Sequence, residues 1–211
     1  PARLIEVAES MGADLWRFGR DFNYSGDRQQ WAYGGRQVRR NGLPYPALRG
    51  ANQLLNASGA LAALESLAAR LPVAQSAVRE GLLRAQIPGR FQILPGQPAL
   101  ILDVAHNPHA AAVLAQNLDA MGYFPETHAV FGMLADKDIV GVVARVAGRI
   151  DRWHVATLPG PRGTSAAALA AQLRAAGVAP EAIAEHASVE SALEAAQGAV
   201  QPADRILVFG S

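Results

Sequence analysis

"ALILDVAHNPHAAAVLAQNL", residues 99–118, decides the fold. It opens as an apolar run of strand length and closes with alanines and leucines at helical spacing. Between the two stand Asp103, His106, Asn107, Pro108 and His109. Pro108 suits the first helical position, where a missing N–H costs nothing. The stretch therefore reads as a buried strand that delivers polar groups from its carboxyl end into the start of a helix.

The same unit repeats on either side. "RFQILP" (90–95) precedes it as a strand, and the helix is expected over 108–121. Strand "HAVFGML" (128–134) then leads to helix 138–149, with Asp136 or Asp138 able to cap it. Strand "WHVATLP" (153–159) leads to helix 164–176, starting at Gly163 or Thr164. A weaker strand, "AIAEHA" (182–187), leads to helix 189–199 capped by Ser188, and "RILVFGS" (205–211) is the last strand. Strands alternating with helices predict an α/β, Rossmann-like domain with a mostly parallel sheet covered on both faces. Ligands of such sheets bind at the carboxyl ends of the strands. Because the chain stops on a strand and starts at Pro1, it is expected to be a piece of a longer protein, lacking a last helix.

Upstream the texture differs. Trp16, Trp31 and Tyr33 cluster within the first 48 residues. "LWRFGRDF" and "WAYGG" read as short strands, with "YSGD" and "RNGLP" as turns. "GANQLLNASGALAALESLAARL" (50–71) reads as a helix, and a second helix is expected over 75–84. "IPGR" (87–90) then punctuates the chain.

With 19 basic and 18 acidic residues the net charge is +1, so bulk electrostatic binding to nucleic acid or membrane is not expected. No apolar run approaches the roughly 20 residues that span a bilayer. There are no cysteines, which excludes disulfides and thiolate metal sites and fits a cytoplasmic protein. Phosphate-loop, G-x-G-x-x-G and G-x-S-x-G patterns are absent, and the five histidines lack zinc spacing.

Several residues invite a chemical role, each beside a plainer one. Asp103 can accept from a ribose hydroxyl or a metal-bound water, or can cap helix 108–121. His106 can face the same ligand or satisfy a loop carbonyl. Lys137, the one lysine among 19 basic residues, suits a phosphate or carboxylate, or is a solvated charge flanked by two acids. Arg162 in "LPGPRGTSA" can clamp a carboxylate bidentately or belong to an ordinary loop. Ser211 ends a strand, either as a ligand group or as a plain turn. Arg90 in "IPGRF" can reach a phosphate from a domain junction or be a solvated linker charge. Asn56, inside an apolar helix, can bond a base edge or an interdomain carbonyl.

Taken together, "LILDVAHNPHAA", "GMLADKDI", "LPGPRG", "PGRFQ" and "LPYPALRGANQLLNASGALAAL" resemble the bacterial bifunctional dihydrofolate synthase/folylpolyglutamate synthases of the Mur ligase superfamily. The resemblance covers nearly the whole chain. It implies that residues 1–87 are the C-terminal part of the central ATP-binding domain and 88–211 the C-terminal α/β domain. It implies ATP-dependent joining of L-glutamate to dihydropteroate or folates through an acyl phosphate, with ATP and Mg2+. The phosphate loop and the magnesium ligands would lie before Pro1.

Carried over by position, Asn56 would contact adenine, Arg90 the ATP phosphates and Asp103 the ribose, with His106 beside it. Lys137, Arg162 and Ser211 are weaker candidates for the glutamate side. Asn52 departs from the pattern, standing where many relatives have His, and is not taken as a site residue. A monomer is expected. The alternative is a non-catalytic nucleotide- or anion-binding α/β module, which a missing G-T-x-G-K-G-S upstream of Pro1 would support.

Overall fold

The computed structural model describes residues 2–48, 50 and 52–211. The chain packs as two units, 2–47 with 52–86, and 87–211 with 48 and 50.

The first unit contains helix α1 (Ala2–Ser10), strands β1 (Asn23–Gly26), β2 (Trp31–Gly34) and β3 (Arg39–Leu43), and helices α2 (Gln53–Ser66) and α3 (Gln75–Arg84). The strands form an antiparallel sheet in the order β1-β2-β3. Trp31, Tyr33 and Leu43 bury against Leu61, Ala62 and Val78 of the two helices. The polar tips of the aromatics are satisfied, as burial requires. Trp31 Nε1 donates to Pro44 O at 2.8 Å, and the Tyr33 hydroxyl donates to Glu65 Oε2 at 2.7 Å.

Three readings of this region need correction. "LWRFGRDF" is a loop rather than a strand, because Asp21 accepts the Arg17 N–H at 2.9 Å and folds the segment back. "YSGD" largely falls in β1, and the turn comes later, where Asp27 Oδ1 accepts the N–H groups of Gln29 and Gln30. "RNGLP" largely falls in β3, where Gly42, at φ +63°, sits opposite a register shift in β2. A bulge thus absorbs a glycine that reads as a turn signal. The helix read over 50–71 is shorter, with turns from 67 to 70 ahead of Pro72, and its Ala51 lies outside the described residues.

The second unit holds β4 (Gln92–Leu94), β5 (Ala99–Asp103), α4 (Pro108–Asp119), β6 (Thr127–Gly132), α5 (Ile139–Val146), β7 (Arg152–Ala156), α6 (Ala166–Ala175), β8 (Ile183–His186), α7 (Val189–Ala199) and β9 (Arg205–Gly210). Its six-stranded sheet runs β4-β5-β9-β6-β7-β8, parallel except for antiparallel β4. The expected α/β architecture with a mostly parallel sheet is borne out. One face of the sheet shares a core with α4, α5 and α6, including Ile101, Leu114, Phe131, Val143, Trp153 and Leu169. On the other face Ala192 and Ala196 of α7 pack on Val130, Ala156 and Ile206. Being covered on both sides, β6 is buried at every position.

Helices α5 and α7 begin at caps the sequence placed there. Asp138 accepts from Gly141 N, and Ser188 forms a capping box with Ser191. Helix α6 is capped by Ser165, not by Gly163 or Thr164. Thr164 is instead buried in the β7–α6 loop, its N–H donating to Met133 O at 3.2 Å.

Across β6, β7 and β8 the side chains of His128, near the start of β6, His154, in the middle of β7, and His186, at the end of β8, form a row. Their rings stack with centroids 5.5 and 5.4 Å apart. Each neighbouring pair of ring nitrogens approaches to 3.3 Å. Glu126 Oε2 closes the row 3.2 Å from His128 Nε2. Burial and the flanking imidazoles bring His154 down from its ordinary 6.5 to about 4.

Candidate functional site

The last strand in the chain, β9, lies between β5 and β6, so three strand ends meet in a crest. Gly132 pairs with Gly210 there, and Ser211 N donates to Gly132 O at 3.1 Å. A side chain at Gly210 would put its Cβ 1.8 Å from Gly132 O. Beside it lies a groove of about 290 Å³, lined by Asp103, Val104, Leu158, Val208, Gly210 and Ser211 among others.

Asp103 ends β5 and is half-buried. Its Oδ2 accepts the Phe91 N–H and its Oδ1 the Ala105 N–H, both at 2.8 Å. Burial pushes its carboxyl up, opposed by those two N–H groups and by the charge of Arg90. Each oxygen keeps a further acceptor site. The carboxylate is therefore oriented by the backbone and can still accept from a ligand hydroxyl. The capping alternative for Asp103 is overturned. Asn107 caps α4, its side chain accepting from Ala110 N at 2.9 Å. Sequence reasoning missed Asn107, although an Asn directly before Pro108 is the signal.

The other candidates divide. His106 Nδ1 lies 2.8 Å from Val104 O, the plainer role foreseen for it. Arg90 is exposed in the turn after Ile87 and pairs with no carboxylate among the described residues. Ser211 Oγ accepts from Leu134 N at 3.1 Å, which ties the end of β9 to the loop after β6. Arg162 is committed to Asp136, with contacts of 2.8–3.0 Å from its guanidinium. Lys137 Nζ stands 4.0 Å from Asp136 Oδ2. Asn56 belongs to the other unit, exposed on α2, with Nδ2 3.4 Å from Gln53 Oε1. The structure thus brings Asp103 and Ser211 to one groove and gathers Lys137 and Arg162 around Asp136.

The crest thus presents a carboxylate fixed by two backbone N–H groups beside a largely apolar groove. Magnesium does not fit. Among the described residues no three or more His, Asp or Glu side chains gather as a metal site would need. No helix among them is long and apolar enough to cross a membrane.

A sheet wound in this order and covered by helices on both faces defines a doubly covered, mostly parallel α/β domain. The family model for the Mur ligase glutamate ligase domain matches residues 89–211, and the chain belongs to the Mur ligase family. It is similar to the dihydrofolate synthase/folylpolyglutamate synthase of Escherichia coli K12, with 38% identity over 218 residues, covering all of this chain and 47% of that protein. Its fold matches E. coli FolC in complex with ADP at a TM-score of 0.87 and 39% identity, over 100% of this chain and 48% of that one. It also matches a bifunctional folylpolyglutamate synthase/dihydrofolate synthase with Mn, AMPPNP and L-glutamate bound, at a TM-score of 0.85 and 39% identity, over 100% and 48%. The chain spans about half the length of these relatives. The resemblance read from "DVAHNP" and "GMLADKD" is borne out.

Proposed function

We propose that this chain serves an ATP-dependent ligase that joins L-glutamate to dihydropteroate or to folates. The observation that carries the proposal is the Asp103 carboxylate, oriented by two backbone N–H groups beside the crest groove. Support comes from similarity along the whole chain to proteins named for that activity.

In this reading residues 88–211 are the C-terminal domain, and 1–87 the end of the central ATP-binding domain. ATP and glutamate are substrates. Asp103 accepts from the ribose hydroxyls, with His106 beside it in the same turn. Arg90 offsets charge on the transferring phosphoryl group. Asn56 contacts adenine from its own unit. Lys137 attracts a glutamate carboxylate, and Ser211 borders the same crest. A substrate carboxylate oxygen takes the γ-phosphoryl group and ADP leaves. The glutamate amine then attacks the acyl carbon, phosphate departs and an amide remains. Positioning the reactants supplies much of the rate. Mg2+ would be held by residues outside this chain, and no step is assigned to it here. The protein is proposed to be a cytoplasmic monomer.

The test is the intact gene product with dihydropteroate, L-glutamate, ATP and Mg2+. ADP release that needs both other substrates supports the ligase. ADP release indifferent to glutamate, or none at all, returns the chain to the binding-module alternative.

A further inference from the structure

Lys137 is the one lysine among 19 basic residues, and an acid stands on each side of it. Such a lysine would ordinarily be neutralised by its neighbours, yet both acids are engaged elsewhere. Asp138 caps α5 through Gly141 N at 2.8 Å. Asp136 takes the Arg162 guanidinium, which reaches both of its oxygens at 2.8–3.0 Å. Among the described residues the Lys137 ammonium keeps one ion pair, at 4.0 Å from Asp136 Oδ2.

The Asp136–Arg162 pair is not needed to hold its loops together. Backbone bonds do that already: Ala135 N donates to Arg162 O at 2.7 Å, Thr164 N to Met133 O at 3.2 Å, and Leu134 bridges Gly163. The pair is also half or more exposed, at 51% and 61%, a setting in which ion pairs add little stability. Lys137, at 28%, is the least exposed of the three side chains. The three charges sum to one positive charge, and the bidentate fork fixes where the neutralised part lies.

We propose that Arg162 is a positioning residue: by occupying Asp136 it keeps the Lys137 ammonium available to an anion at the strand crest. The anion is a carboxylate of the amino-acid substrate, an identity that rests on the ligase reading above. Arg162 itself does not hold the substrate. Without the guanidinium, Asp136 is free to close its 4.0 Å separation from Lys137 and cancel its charge.

The test uses Arg162→Gln, Asp136→Asn and the double variant. A single lysine lets amine acylation be read by mass spectrometry on one peptide of this chain. Arg162→Gln should slow acylation of Lys137 about two- to fivefold, the factor one exposed ion pair is worth. The double variant should return to the wild-type rate, because no carboxylate remains to capture the ammonium. Unchanged labelling in Arg162→Gln, or a double variant as slow as the single, overturns the proposal.

In the intact ligase, Arg162→Gln should raise the glutamate KM with kcat little changed, and Asp136→Asn added to it should restore KM. An Arg162 that clamps the substrate directly would leave the double variant as impaired as the single, which also overturns the proposal. If the intact protein shows no ligase activity, the labelling experiment still decides the shielding of Lys137, and only the identity of the anion falls.

Discussion

Asp103 Oδ2 accepts the backbone N–H of Phe91 at 2.8 Å, twelve residues away, across the antiparallel pair β4–β5. Phe91 is the one non-glycine at positive φ among the described residues, at +44°, and its ring is buried. A left-handed conformation costs a phenylalanine roughly 1–2 kcal/mol. The Asp103 bond and the burial of the ring offset that cost and set the turn that carries Arg90.

Asp103 should therefore serve stability as well as ATP. Asp103→Ala removes two hydrogen bonds to a charged acceptor and strands the Phe91 and Ala105 N–H groups. Urea unfolding of this chain should show a loss of about 2–4 kcal/mol. The ATP KM of the intact ligase should rise as well. A variant with normal stability and a raised KM would reduce Asp103 to ribose contact alone.

Arg90 should behave oppositely. It is exposed and pairs with no carboxylate among the described residues. In the intact ligase Arg90→Ala should lower turnover by about 10²–10³-fold, the scale of one preorganised charge-stabilising donor. Thermal melting should hardly move, since exposed charges contribute about 0–1 kcal/mol. Arg90→Lys should recover only part of the rate, because the bidentate fork is lost. Lower melting with normal turnover would make Arg90 a structural clamp.

The histidine row should make the second unit sensitive to acid. His154 titrates at about 4 in the folded chain against 6.5 when unfolded. Between those values the unfolded state binds more protons, so its contribution is complete above pH 6.5 and is lost as pH falls toward 4. The loss amounts to about 3 kcal/mol at most. Glu126, Arg152 and Glu181 line the cavity at that edge, and His128 and His186 flank the ring. Urea melts from pH 7 to pH 4 should show a drop that is smaller in His154→Gln. Equal pH slopes in both would remove His154 as its source.

Two glycines at the crest should differ sharply. Gly210 sits at φ +134°, and a Cβ there would lie 1.8 Å from the backbone oxygen of Gly132. Gly210→Ala should cost more than about 3 kcal/mol, since backbone cannot swing aside. At Gly132 the atoms nearest to a Cβ would be those of the Leu158 side chain, at 2.7 Å, which can change rotamer. Gly132→Ala should be milder, and circular dichroism melts of the two variants make the comparison.

From β5 onward the fold was legible because both faces of the sheet are covered. Continuous apolar runs such as 129–134 then stand out between helices that begin with Pro108 or directly behind the caps Asp138 and Ser188. The first sheet was harder to read. Its strands are four or five residues long, and much of their surface is exposed. Gly42 and Asp21 obey a bulge and a pinned loop rather than a turn and a strand. At the site, Asp103 was legible from the turn it enters. The pairing of Arg162 with Asp136 was not, because it joins loops 26 residues apart that only the closed sheet brings together. The same holds for Leu134 and Ser211, which lie 77 residues apart.

On the proposed ligase reading, the intact protein makes its amide through an acyl phosphate. Dihydropteroate labelled with oxygen-18 in its carboxyl group tests it most directly. The carboxyl oxygen that takes the phosphoryl group stays with phosphorus when the amine displaces it. Inorganic phosphate should therefore carry one labelled oxygen per amide formed, and none when glutamate is omitted. Amide formed with unlabelled phosphate would contradict the account.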